Sequence, residues 1–159
     1  MTLQQTENKA SLEDVLHYDN HGVVSRLSRN LCLPMEEAEE LFRDTLTFLW
    51  LTQQENESIA PPSIIDEGWH SFILFTRDYA EFCQREFGVF IHHVPKTERD
   101  SVSDRDCILR TIKAVKKHLD PVLISDNWGW AKEGAISGRV GCGLDCSPDY
   151  DCNGTVNCT

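Results

Sequence analysis

The chain has 159 residues with 15 basic and 26 acidic side chains, a formal net charge of −11, and 40% hydrophobic against 26% charged residues. That length holds one domain of ordinary size, and the composition belongs to the folded globular class. So acidic a chain is repelled by phosphate backbones and anionic lipid, which excludes general nucleic-acid binding, and no apolar run reaches the roughly 18 residues that cross a bilayer.

Residues 1–10 are polar and contain no secretory apolar region, so they are expected to be disordered and the protein cytoplasmic. Ser11-Leu-Glu-Asp14 reads as a capping box, continued by Leu12, Val15 and Leu16. Asn20-His21-Gly22 breaks or recaps the helix, and Val23, Val24, Leu27 and Leu31 resume helical spacing, so one kinked helix or two short ones fit. Pro34 suits a first helical position, and Glu36, Glu37, Glu39 and Glu40 favour the positive end of a helix. Ala38, Leu41, Phe42, Thr45, Phe48, Leu49 and Thr52 line one face, predicting a helix from Pro34 to about Gln53.

A polar loop ending in Pro61-Pro62 follows. Ser63 is then expected to cap a long helix running to Phe87, with Gly88 as its left-handed terminator. Ile65, Trp69, Phe72, Thr76, Tyr79, Ala80, Cys83 and Phe87 share one face, with Phe75 and Phe82 on a second side, so this helix is expected at the centre with Trp69 buried. Residues 89–95 are read as a short strand or an extended return over the core. After a charged loop at Lys96–Asp100, Ser101 or Ser103 can cap a helix carrying Ile108, Ile112, Val115 and Leu119, which Pro121 stops. Lys113, Lys116 and Lys117 complement its negative end. The fold class expected is therefore mainly α: a compact antiparallel bundle of four to five helices over residues 11–124. A Trp-containing linker, 125–133, and a Cys/Gly-rich, largely irregular tail, 134–159, follow it.

Two places could carry chemistry. In Asp66-Glu67-Gly68-Trp69-His70, Asp66 and His70 are one helical turn apart, with Arg77 two turns further on. A carboxylate beside an imidazole can bind a metal ion or tune the His for proton transfer. The competing reading makes Asp66 the third helical residue, completing a capping box with Ser63. His92 and His93 point opposite ways in an extended segment, so at most one can join His70.

The second place is the tail, where Cys142, Cys146, Cys152 and Cys158 crowd together. Four thiolates can close a tetrahedral site for zinc or another transition metal, although no CxxC pair is present. The alternatives are reduced thiols in a flexible tail, or a substrate segment altered by a modifying enzyme, as in precursors of ribosomally made modified peptides. Cys32, Cys83 and Cys107 read as small buried apolar residues. No GxSxG, P-loop, GxGxxG or HExxH pattern supports nucleophilic or nucleotide chemistry.

Ile-Asp-Glu-Gly-Trp-His70, Phe-Ile-Leu-Phe-Thr-Arg-Asp-Tyr79, Cys83, Phe87-Gly88 and Ile91-His-His93 together resemble the bacterial glycine-rich-domain-containing-protein-like family. The resemblance covers Ile65 to about Pro95. It implies a helical fold without a defined activity, and Phe72 stands where members often carry a second His. The function expected is a non-enzymatic binding or scaffold module for a protein or peptide partner, carrying a Cys-rich tail that binds metal or is modified and that holds whatever chemistry the protein has, with Trp128, Trp130 and Arg77 as candidate contact residues and the two tryptophans anchoring the tail's root against the helices. Its rivals are a metal-dependent protein using Asp66, His70 and one of His92 or His93, and a modified-peptide precursor.

Overall fold

The computed structural model describes residues 10–94 and 101–138, with side chains from residue 105 in the second stretch. Within them lie seven α-helices and no strand: α1 (Leu12–Leu16), α2 (His21–Leu31), α3 (Met35–Thr52), α4 (Ser63–Ile73), α5 (Thr76–Phe87), α6 (Ser101–His118) and α7 (Gly129–Ser137), with a 3-10 turn at Asp126–Trp128 before α7. The first segment takes the two-helix form of the expected five, and the count rises to seven because the 63–87 segment divides and one unexpected helix follows α6. The N-terminal residues 1–9, the charged loop beyond Val94 and the four tail cysteines lie outside the described residues.

The first helical segment divides where it recaps. Ser11 and Asp14 form the expected capping box on α1, and the hydroxyl of Ser11, donating to the Asp14 carboxylate, holds that carboxyl below its usual range. Asn20 then caps α2 by accepting from the Val23 N–H at 3.1 Å, while its amide donates to Asp78 on α5 at 2.8 Å. Cys32 ends α2 in the left-handed region, φ 54°, and is exposed rather than buried. Cys107 is half-buried, and only Cys83 is buried as expected.

Pro34 stands just outside α3, and Glu36 and Glu37 occupy the first turn. Leu41, Leu46, Phe48, Leu49 and Leu51 are fully buried. Because α3 packs against α1, α2, α4 and α6, it is the central helix; the 63–87 segment, expected in that place, lies beside it.

That segment is not one helix. It breaks at Leu74-Phe75, where Phe75 leaves helical geometry (φ −84°, ψ 65°) and α5 restarts at Thr76. No proline or glycine marks the break; packing explains it. Residues ten apart on a straight helix are separated by about 15 Å along its axis. The break folds α5 back, so that the rings of Phe72 and Phe82 lie 5.3 Å apart and both side chains are fully buried. Two apolar stripes that a straight helix would point in different directions thus share one core.

Gly68 lets α4 approach α3. A Cβ there would lie 2.0 Å from the hydroxyl oxygen of Thr45, a fully buried residue whose hydroxyl donates to the Leu41 carbonyl. Trp69, on the next position, is buried as expected.

The stretch read as a linker and the start of a tail is instead part of the folded unit. Asp44 of α3 accepts hydrogen bonds from the Ser125 hydroxyl (2.6 Å), the Asn127 amide (2.8 Å) and the Trp128 indole (3.0 Å), and Trp128 is completely buried. From there α7 lies along α6, with Ala131 and Ala135 buried and Gly134 against Ile112. The stripe Ala131, Gly134, Ala135 has helical spacing, but such small residues carry little hydropathic signal, so the periodicity escapes notice. Trp128 is a core residue and is not available as a contact for a partner. Among the described residues, no helix is long and apolar enough to cross a membrane.

Candidate metal centre

Helix α4 begins after Pro62, and Ser63 makes no side-chain capping bond. The capping-box reading of Asp66 therefore fails: its backbone N–H is satisfied by the Pro62 carbonyl, and its carboxylate is free to face outward from the helix. One turn on, His70 Nε2 lies 3.5 Å from Asp66 Oδ2. The third member arrives from the extended segment after α5, where His93 Nε2 contacts Asp66 Oδ1 at 2.9 Å. Two acceptors would not approach so closely, so this nitrogen carries a proton and donates it to the carboxylate.

The three groups grade from inside to outside. The side chain of His93 is 13% exposed, that of Asp66 28% and that of His70 47%. The edge of Trp69 meets the His93 ring at a centroid separation of 4.5 Å, and the two imidazoles stand 4.4 Å apart. His70 Nδ1 is 4.0 Å from Glu67 Oε1.

His93 is held in place by a relay that sequence reasoning missed. The Trp69 indole N–H donates to the Tyr79 hydroxyl at 2.9 Å, and that hydroxyl donates to the Ile91 carbonyl at 2.7 Å. The bond to Ile91 ties the returning chain to α5 two residues before His93. Burial pushes the Tyr79 hydroxyl far above the usual tyrosine range, with the neighbouring Cys83 adding to it, so the donor stays protonated. Burial likewise pushes the Cys83 thiol up, which makes it a poor nucleophile. Sequence spacing places Trp69 and Tyr79 on an apolar stripe and gives neither a hydrogen-bonding role. The available signal was that a buried indole and a buried phenol each need a polar partner.

The other candidates fall outside this cluster. His92 is exposed, its ring meeting that of Phe90 edge-on at 4.8 Å. Arg77 is exposed on α5, beyond the helix break, and Trp130 is half-buried on α7. Phe72 is fully buried among aromatic rings, so that position belongs to the core rather than to the site.

Asp66, His70 and His93 each offer one ligand atom, and these atoms lie within 4.8 Å of one another. Zinc bonds of about 2.05 Å at tetrahedral angles separate neighbouring ligand atoms by about 3.3 Å. The contacts of 2.9 and 3.5 Å reach different oxygens of Asp66, Oδ1 and Oδ2, and single ligand atoms spread to 4.8 Å, so side-chain rotations would have to draw the three groups together around an ion. Two imidazoles and one carboxylate are a donor set that would suit zinc or a neighbouring first-row divalent ion.

Comparison with known proteins corrects the resemblance drawn from the sequence. The profile that matches is that of the UCP032817-like family, over residues 18–121, and not the glycine-rich-domain-containing group. No curated protein and no solved structure matches the chain. The matched stretch contains Asp66, His70, Tyr79 and His93, while Trp128, α7 and the tail lie beyond it. The chain belongs to the UCP032817-like family.

Proposed function

We propose that this protein is a binding module built around a single divalent transition-metal site, with Asp66, His70 and His93 as ligands and zinc as the favoured ion. The observation that carries the reading is the delivery of His93, 23 residues away from His70 in sequence, onto the carboxylate that His70 already faces. A metal ion at this place would take the Nε2 position that now donates to Asp66, and the neutral His93 ring would then carry its proton on Nδ1. The mixed N/O donor set and the half-exposed rim leave a position for water or for a donor atom of a bound partner.

The tail quartet Cys142, Cys146, Cys152 and Cys158 is a second proposed chelator, and the test keeps the two apart. Full-length protein and a variant with those four cysteines changed to serine are titrated with zinc and with cobalt. The helical site predicts one equivalent retained in the four-serine variant, with a cobalt ligand-field spectrum free of thiolate charge transfer. His70→Ala and His93→Ala should each abolish that equivalent. Zinc bound only when the tail cysteines are present would refute the helical site and leave the tail as the chelator.

A further inference from the structure

Resting on the metal reading above, we infer that Glu67 is the positioning residue of the centre, its carboxylate orienting His70 from the ring nitrogen that does not face the metal. The geometry of His70 separates its two nitrogens. Nε2 points towards Asp66 Oδ2 at 3.5 Å, while Nδ1 is the nitrogen nearer Glu67, at 4.0 Å from Oε1. In-plane directions from the two nitrogens of an imidazole diverge, so a carboxylate on the Nδ1 side does not share the position that Nε2 faces. Once Nε2 ligates a cation, the neutral ring must carry its proton on Nδ1, and an acceptor there fixes both tautomer and ring plane.

The need for such a residue is local. His93 is 13% exposed, packed against Trp69 and tied down through Ile91, so its ring is oriented by the core. His70 is 47% exposed, its ring standing beside that of His93 at 4.4 Å on the outer side of the cluster. Glu67 lies three residues before it on α4, the spacing at which helical side chains meet. The gap of 4.0 Å is longer than a hydrogen bond, and small side-chain rotations of two exposed residues close it when the ring becomes a ligand. The same placement argues against Glu67 as a general base for a metal-bound water, because it sits behind the ligand ring.

The test uses the full chain carrying serine at Cys142, Cys146, Cys152 and Cys158, with zinc affinity measured by competition titration and the cobalt spectrum as signature. Carboxylate partners of metal-bound histidines typically contribute 10- to 100-fold in affinity. Glu67→Ala should therefore weaken zinc binding by that factor while leaving one equivalent, helical content and the cobalt coordination geometry unchanged. Glu67→Gln, whose amide oxygen still accepts from Nδ1–H, should recover binding to within about threefold of the parent. In the zinc-loaded parent, the His70 Nδ1–H should give a slowly exchanging NMR signal that Glu67→Ala removes. Wild-type-like affinity in Glu67→Ala overturns this role while leaving the metal site intact. Loss in Glu67→Gln as complete as in Asp66→Asn, with an altered cobalt spectrum, overturns it by making Glu67 a ligand. Absence of zinc binding in the parent defeats the metal reading itself, and this inference with it.

Discussion

The hydroxyl of Tyr79 donates to the carbonyl of Ile91 at 2.7 Å, so a buried side chain on α5 decides where His93 stands two residues later. The same oxygen accepts from Trp69 on α4, and the two helices of the site are joined through one atom. Tyr79→Phe should leave the Trp69 N–H and the Ile91 carbonyl without partners, costing about 2 kcal/mol of stability. Urea unfolding followed by tryptophan fluorescence measures this. Zinc affinity should fall about tenfold as His93 loses its anchor. Unchanged stability and unchanged affinity together would show that the relay orders nothing.

The same residue sets a limit at high pH. Burial first, and then the neighbouring Cys83, raise the Tyr79 hydroxyl far above its value in an unfolded chain, which is about 10. The folded state therefore keeps a proton that the unfolded state gives up. The stabilisation is fully present below pH about 10 and is lost as pH rises above it. Stability measured from pH 8 to 11 should decline more steeply in the wild type than in Tyr79→Phe. Parallel profiles would place the alkaline loss elsewhere, with Tyr18, also raised chiefly by burial, as the next residue to test.

Asp44 anchors the turn before α7 to the central helix through three donors, at 2.6, 2.8 and 3.0 Å. Asp44→Ala should leave the buried Trp128 indole and the half-buried Ser125 and Asn127 donors without their acceptor and cost about 3 kcal/mol, since hydrogen bonds to a carboxylate are the stronger class. Asp44→Asn, which keeps an accepting oxygen, should cost less. Hydrogen exchange should report loss of protection over 125–137 ahead of the rest of the chain. Uniform loosening of all helices instead would mean that the turn and α7 are not a separable unit.

Gly68 is required by the closeness of α3 and α4. Alanine there gains up to about 1 kcal/mol in helix propensity, yet its Cβ would meet the buried Thr45 hydroxyl oxygen at 2.0 Å and the Thr45 Cβ at 3.3 Å. Thr45 cannot turn aside without giving up its bond to Leu41. Gly68→Ala should be net destabilising by about 1–3 kcal/mol, the usual range for overpacking. Thr45→Ala added to it should restore most of the loss. A single variant as stable as the parent would contradict this account of the contact.

Much of the helical architecture was legible because it rests on local chemistry. The capping box at Ser11 and Asp14, the glutamates opening α3, Gly88 in its left-handed position closing α5 and the basic end of α6 all act within a turn or two of themselves. Asp66 and His70 could be paired for the same reason, since one helical turn brings them together. Contacts between distant residues carry no such local mark. The break at Phe75 has no proline or glycine to announce it and exists because Phe72 and Phe82 gain a common core when the helix folds back. Choosing His93 over His92 required knowing that Tyr79 binds Ile91, twelve residues away, and so sets the register of the returning chain. The place of Trp128 depended on a buried carboxylate 84 residues earlier, and the helix after it on small residues whose value is close approach rather than hydrophobicity. The chain's periodicity and capping determined which segments are helical. Tertiary packing decided where they stop, which polar groups meet, and which histidine faces Asp66, because each of those outcomes turns on partners that only the folded chain brings within hydrogen-bond reach.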